Sequence, residues 1–266
     1  MRAVAVHPDV VVVTSRLWQL NAVALRAGAE AMVVDSPYFP DELELLPTLL
    51  AQAGFAVDAL LATHADFDHL LGRLAYPGLA LGVAESTGVR LRSEPGAAQR
   101  ALRDADAEHY VVRPKPLALG AWESLPVPGH LGLGEGELEL HPTAGHTPDG
   151  VALLMPGAGV LVCGDYLSDV EIPTISAGGS LDAYRATLAR LSPLVERAQT
   201  IVPGHGSPLQ RDAALATLDE DVDYLDALER GDERAPLPSG RDSHHQRVLH
   251  AENLRALGSS SVEGLT

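Results

Sequence analysis

The segment Thr63-His64-Ala65-Asp66-Phe67-Asp68-His69 constrains this chain more than any other. It places His64, Asp66, Asp68 and His69, all competent to bind metal, directly after the apolar run Val57–Ala62, which reads as a buried strand. In a regular helix His64 and Asp68 would share a face while Asp66 pointed elsewhere; in a strand His64, Asp66 and Asp68 would line up and His69 would turn away. Only a strand end turning into a helix gathers all four, and such loops are where sites are commonly built. Asp68 and His69 then open a helix over Leu70 to Tyr76, where a carboxylate suits the helix dipole.

The same arrangement recurs three times downstream. Ala144-Gly145-His146-Thr147-Pro148, Leu161-Val162-Cys163-Gly164-Asp165 and Ile201-Val202-Pro203-Gly204-His205-Gly206 each set one His or Asp beside a glycine that lets backbone approach closely. Together with the first cluster they form a set of imidazoles and carboxylates suited to two divalent ions, with Zn as the first expectation and Mn or Fe as alternatives.

The elements around these motifs alternate. Strands are expected over Val10–Val13, Val23–Leu25 and Ala31–Val34, then a helix from the cap Asp41 to about Ala53, with Pro47 inside it and Gly54 as its stop. Leu79–Val83 reads as a strand, Ala97–Ala105 as a helix, and 111–141 as several short strands. The pair Val151–Met155 and Val160–Cys163 surrounds Pro156-Gly157. Ser180 caps a helix over 181–198, Ile201-Val202 is a strand, and 209–229 is a further helix. Gly231–Ser243 reads as a loop, followed by a last helix over 244–257 that stops at Gly258 ahead of a frayed tail. This order implies a layered α/β domain with two comparable halves.

The chain has 266 residues, with 19 basic against 36 acidic residues. A formal charge of −17 repels phosphate backbones and anionic lipid, so neither nucleic acid nor membrane is an expected partner and a small-molecule substrate is. No apolar run reaches the roughly 20 residues that span a bilayer. The single Cys163 cannot form an internal disulfide, which fits a reducing compartment, and no targeting signal is visible, so the expected location is cytoplasmic.

With its motifs in this order over about residues 20 to 206, the sequence resembles the metallo-β-lactamase superfamily of metal-dependent hydrolases. Asn21 and Asp35 also stand where that family often has the same residue types. The resemblance implies a four-layer αβ/βα sandwich with metals at one edge of two packed sheets. By position, His64 and His146 would bind the first ion, His69 and His205 the second with Asp68, and Asp165 would bridge them. The catalytic domain would span 1–230, with 231–266 packed on it. One departure matters: the family usually has His where this chain has Asp66. With His there, two dications, two carboxylates and a bridging hydroxide leave one net positive charge. With Asp66 as a ligand the count is neutral, which weakens the Lewis acid and favours harder ions.

The implied reaction is attack by a metal-bound hydroxide on a lactone, thioester or other activated ester, with Asp68 and Asp165 as ligands able to relay a proton. The alternatives are an iron-dependent oxidoreductase acting on a sulfur compound or oxygen, and a small-phosphodiester hydrolase. Tyr166 could polarise a substrate oxygen or be a packed tyrosine with a satisfied hydroxyl. Asp35 is expected to be a turn residue or a partner of a ligand, and His7, His130 and His141 to be strand or loop residues. His244, His245 and His250 are expected to be solvated on the final helix, and Cys163 to be buried.

Overall fold

A computed structural model describes residues 1–232 and 234–263, with side chains through residue 257. The valine-rich runs of the first half build a sheet in the order β1 (Arg2–His7), β2 (Val10–Thr14), β3 (Asn21–Ala27), β4 (Glu30–Asp35), β5 (Val57–Ala62), β6 (Ala80–Ala84) and β7 (Glu123–Leu125). Its first four strands are antiparallel and the remaining pairings parallel. The helices α1 (Pro40–Gln52), α2 (Gly72–Ala75), α3 (Glu85–Ser93) and α4 (Ala97–Glu108) fall in the connections of this half.

The second half builds β8 (Gly129–Leu133), β9 (Gly136–Pro142), β10 (Val151–Met155), β11 (Val160–Val162), β12 (Thr200–Val202) and β13 (Leu209–Gln210), in the sheet order β13-β12-β11-β10-β9-β8. Here α5 (Leu181–Arg197), α6 (Arg211–Glu229) and α7 (His244–Glu263) complete the chain.

Alternation along β2 shows why four layers form. Val10 and Val12 pack with Leu138, Leu140, Leu153 and Val162 between the two sheets, whereas Val11 and Val13 pack with Leu43, Leu46 and Leu102 under the first helices. β2 and β10 are buried on both faces, so their sequences read as continuous apolar runs. The outer face of the second sheet is covered by Leu188 and Leu191 of α5 and Leu218 and Leu225 of α6. The architecture is thus the expected αβ/βα sandwich.

Several expectations are corrected. The edge strand β1 and helix α3 have no counterpart in the sequence reading. The helix after Asp68 begins as a 3-10 turn over Phe67–Leu70, followed by the single turn α2. α1 starts at Pro40 behind Phe39, whose N–H donates to Glu42 Oε2 at 3.3 Å, so Asp41 is a first-turn acid rather than the cap. Leu209 and Gln210 form β13 before α6 begins at Arg211. α4 runs on to Glu108, and α7 runs past Gly258 to Glu263, leaving only residues 264–266 of the expected frayed tail, which lie outside the described residues.

The stretch from Gly231 to Ser243 is pinned rather than linker-like. Arg241 is 1% exposed and donates to Ser168 O, Glu171 O and the Asp221 carboxylate. His250, expected in solvent, is buried with its Nδ1 3.0 Å from the Tyr224 hydroxyl. Among the described residues, no helix is long and apolar enough to cross a membrane.

Candidate metal centre

The ends of β5, β11 and β12 and the connection from β9 to β10 each deliver part of the ligand set named from the sequence. At the end of β4, Asp35 adopts φ +57°, an uncommon conformation for a residue with a side chain. Its carboxylate holds the conformation in place. Oδ1 accepts from Thr63 N and Oδ2 from the Thr63 hydroxyl, each at 2.8 Å, and Oδ2 also accepts from His69 Nδ1 at 2.9 Å. Asp35 is therefore a partner of His69, a candidate ligand, and it ties the β5 end to the turn that carries Asp68 and His69.

The other imidazoles are oriented in the same way. The Thr63 hydroxyl, having donated to Asp35, accepts from His64 Nδ1 at 3.0 Å. His146 Nδ1 donates to Thr174 O at 2.7 Å, and His205 Nδ1 to Trp18 O at 3.1 Å. Asn21 Nδ2 anchors the His205 turn through Pro203 O and Gly206 O, at 2.9 and 3.0 Å. With every Nδ1 engaged as a donor, every Nε2 is left to point at a common centre as an acceptor.

Three groups of donors result: His64, Asp66 and His146; Asp68, His69 and His205; and His64, His69 and Asp165. Asp165 lies between the first two. Its Oδ2 is 3.6 Å from His64 Nε2 and 3.4 Å from His146 Nε2, while its Oδ1 is 3.2 Å from His69 Nε2 and 3.6 Å from His205 Nε2. Asp68 Oδ2 is 3.4 Å from His205 Nε2, and Asp66 Oδ2 is 3.4 Å from His146 Nε2. Four donors held tetrahedrally about 2.1 Å from one ion would sit about 3.4 Å apart. Among the described residues, the buried atoms His64 Nε2, His69 Nε2, His146 Nε2 and Asp165 Oδ1 have no hydrogen-bond partner. Buried polar atoms are normally satisfied, so this convergence fits cations.

The close approach depends on Gly204. A Cβ there would collide with Asp165 Oδ1 and lie 3.0 Å from His69 Cε1. The sequence reading joins Gly204 to His205 as a single signal, and the structure shows why that position carries no side chain.

The charges of the cluster bear on its proton content. Burial disfavours the His146 imidazolium, but Asp66 and Asp165 outweigh it and push its pKa up to about 9. Burial likewise opposes His205, and Glu171, Asp165 and Asp68 push it up to about 10. Protons therefore compete with cations for these Nε2 atoms. Raised folded-state values favour the metal-free protein below the unfolded histidine pKa, near 6.5, and that stability is lost as pH rises through about 9 to 10. Calorimetry of chelator-stripped protein is expected to show the melting temperature falling between pH 7 and 10. Over the same range metal affinity should rise.

Asp66 Oδ1 accepts from Arg90 at 2.8 Å, and Arg90 also donates to Asp149 Oδ1 at 2.9 Å. Neither Arg90 nor Asp149 stands out in the sequence: Arg90 lies on α3, where Gly88 and scattered polar residues leave no apolar period. Glu171, equally unmarked there, has its carboxylate 3.8 Å from His205 Nδ1 and 23% of its side chain exposed. Burial pushes its carboxyl up, with Asp165 and Asp68 adding to the shift against the pull of His205.

Tyr166 is a packed tyrosine with its hydroxyl satisfied by backbone. Its hydroxyl accepts from His146 N and donates to Thr143 O, both at 2.9 Å, which shapes the His146 loop. His7, His130 and His141 lie on β1, β8 and β9, outside the donor groups, and Cys163 is buried.

The C-terminal helix reaches this centre through one intermediate segment. Asn253 accepts from Ile175 N at 2.8 Å and donates to Pro173 O at 2.7 Å, on either side of the Thr174 carbonyl that orients His146. Asn253→Ala strands both buried groups and is expected to cost about 2–4 kcal/mol in denaturant unfolding, with weaker metal binding at the His146 cluster.

A family model described as Metallo-beta-lactamase superfamily matches residues 16–205. Solved structures share the fold. A metallo-beta-lactamase family protein from Thermus thermophilus is 22% identical with a TM-score of 0.70, covering 98% of this chain and 95% of its own. A metallo-beta-lactamase from Pontibacter korlensis is 19% identical with a TM-score of 0.60, covering 82% and 97%. The B3 metallo-beta-lactamase BLEG-1 is 23% identical with a TM-score of 0.59, covering 77% and 95%. No curated protein matches the sequence significantly.

Proposed function

The chain belongs to the metallo-beta-lactamase superfamily of divalent-metal-dependent hydrolases, and from that premise we propose that it uses two ions to hydrolyse a small activated acyl compound such as a lactone, thioester or ester. The observation that carries this reading is the convergence of four oriented imidazoles on the two oxygens of Asp165, with three of the Nε2 atoms lacking a hydrogen-bond partner among the described residues.

His64, Asp66 and His146 would hold one ion, Asp68, His69 and His205 the other, with Asp165 between them. Such ions supply Lewis acidity and lower the pKa of water. Zn suits the imidazoles, while the third carboxylate, Asp66, extends the choice to Mn or Fe. The carboxylates of Asp68 and Asp165 face the histidines and would be ligands first, with either able to relay a proton. Glu171, whose carboxylate lies 3.8 Å from His205 Nδ1 on the side of that ring away from Nε2, would help orient the imidazole. Glu171→Gln is expected to weaken zinc binding at the His205 cluster by up to about 10-fold, read by competition titration against a chromophoric chelator.

A chain of net charge −17 suits a neutral or cationic small molecule better than nucleic acid. The test is a panel of lactones, thioesters, aryl esters, β-lactams and small phosphodiesters, run with metal-loaded and chelator-stripped protein alongside oxygen uptake. Metal-dependent acyl hydrolysis is the expected result. Phosphodiester cleavage alone would redirect the substrate class. Oxygen uptake with bound iron and no hydrolysis would overturn the reading in favour of an oxidoreductase.

A further inference from the structure

Asp66 is not a simple carboxylate substitute for an imidazole, because one of its oxygens is already taken. Arg90, 15% exposed, donates through one terminal nitrogen to Asp66 Oδ1 and through the other to Asp149 Oδ1. Asp149 is 1% exposed and its Oδ2 accepts from Ala65 N at 2.9 Å. A single guanidinium thus links the turn carrying His64 and Asp66 to the loop carrying His146. It leaves Asp66 Oδ2 alone facing His146 Nε2 at 3.4 Å and His64 Nε2 at 3.7 Å. An imidazole at position 66 could not accept from this guanidinium while also lending a nitrogen to a cation.

We propose that Arg90 is a positioning residue that makes Asp66 a one-oxygen metal ligand, so that Asp66 and Arg90 work together where a single histidine would otherwise serve. The inference rests on the two-metal reading above. It requires that the two side chains be coupled: Arg90 helps cation binding only when residue 66 is a carboxylate. A residue that merely ties two loops together would help equally in either background.

The experiment is a zinc titration of chelator-stripped wild type, Arg90→Gln, Asp66→His and the double variant, in competition with a chromophoric chelator. Circular dichroism and melting of the metal-free forms run alongside. The account predicts that Arg90→Gln weakens one of the two zinc equivalents by about 10–100-fold, while in the Asp66→His background the same change leaves affinity unaltered or improves it. Arg90→Lys, which keeps the charge but cannot form the planar two-armed link, is expected to lose less, severalfold. It carries the test if Arg90→Gln proves unfolded. Loss by the same factor in both backgrounds, or zinc binding by Arg90→Gln and Arg90→Lys equal to wild type, would overturn the inference. A wild-type protein that takes up no zinc would sink the two-metal reading and the inference with it, whereas two equivalents insensitive to Arg90 would sink the inference alone.

Discussion

Asp165→Ala is expected to abolish hydrolysis, by about a thousandfold or more, and to lower metal content from two ions per chain to one or none. Each oxygen of Asp165 faces two imidazoles, Oδ2 toward His64 and His146 and Oδ1 toward His69 and His205. Its loss removes a donor from both clusters at once, and the electrostatic stabilisation that bound ions supply amounts to several kcal/mol. Removing the carboxylate also takes a negative charge from among four buried imidazoles, so the metal-free variant should show a smaller elevation of the His146 pKa, which Asp66 also raises. Elemental analysis and turnover on the same preparation check the first claim, and an NMR titration of the histidines checks the second. Full activity with two ions would show that Asp165 is a bystander.

Gly204→Ala is the second large effect. The added methyl group meets the Asp165 carboxylate and the edge of His69 rather than open space. Gly204 N donates to Gly164 O and Asn21 N to Gly204 O at 2.8 Å, so backbone retreat would break pairings between the turns that carry Asp165 and His205. The expected outcome is about 1–3 kcal/mol of destabilisation from overpacking, with a larger loss of metal affinity because Asp165 must move. Denaturant unfolding of the stripped protein and zinc titration separate the two effects. A variant that binds both ions with wild-type affinity would mean the approach at Gly204 is loose.

These predictions rest on features of unequal legibility. The candidate ligands are readable because each stands beside glycine or in a dense cluster just past an apolar run, so composition and position mark the strand ends before any fold is known. The same signals reveal the sheet halves, since β2 and β10 are buried along their whole length and read as continuous hydrophobic segments. Arg90 is not readable. Its partners Asp66 and Asp149 are distant in sequence, and a buried ion cluster leaves no periodic trace.

The C-terminal helix misleads for a related reason. Its buried residues Gln246, His250 and Asn253 recur at helical spacing but are polar, so the face that packs looks like the face that should be wet. Burial is tolerable there because Gln246 and Asn253 hydrogen-bond the 172–175 backbone and His250 meets Tyr224. Tyr166 shows the converse. Its place beside Asp165 suggests chemistry, but both its hydrogen bonds go to backbone of the His146 loop.

The central claim is that His64, Asp66, Asp68, His69, His146, Asp165 and His205 hold two cations between them. A calorimetric titration of zinc into chelator-stripped protein addresses it most directly. The account predicts two equivalents per chain, falling to one with His205→Ala and to one with His146→Ala. Uptake of no zinc, or two equivalents that persist in both variants, would contradict it.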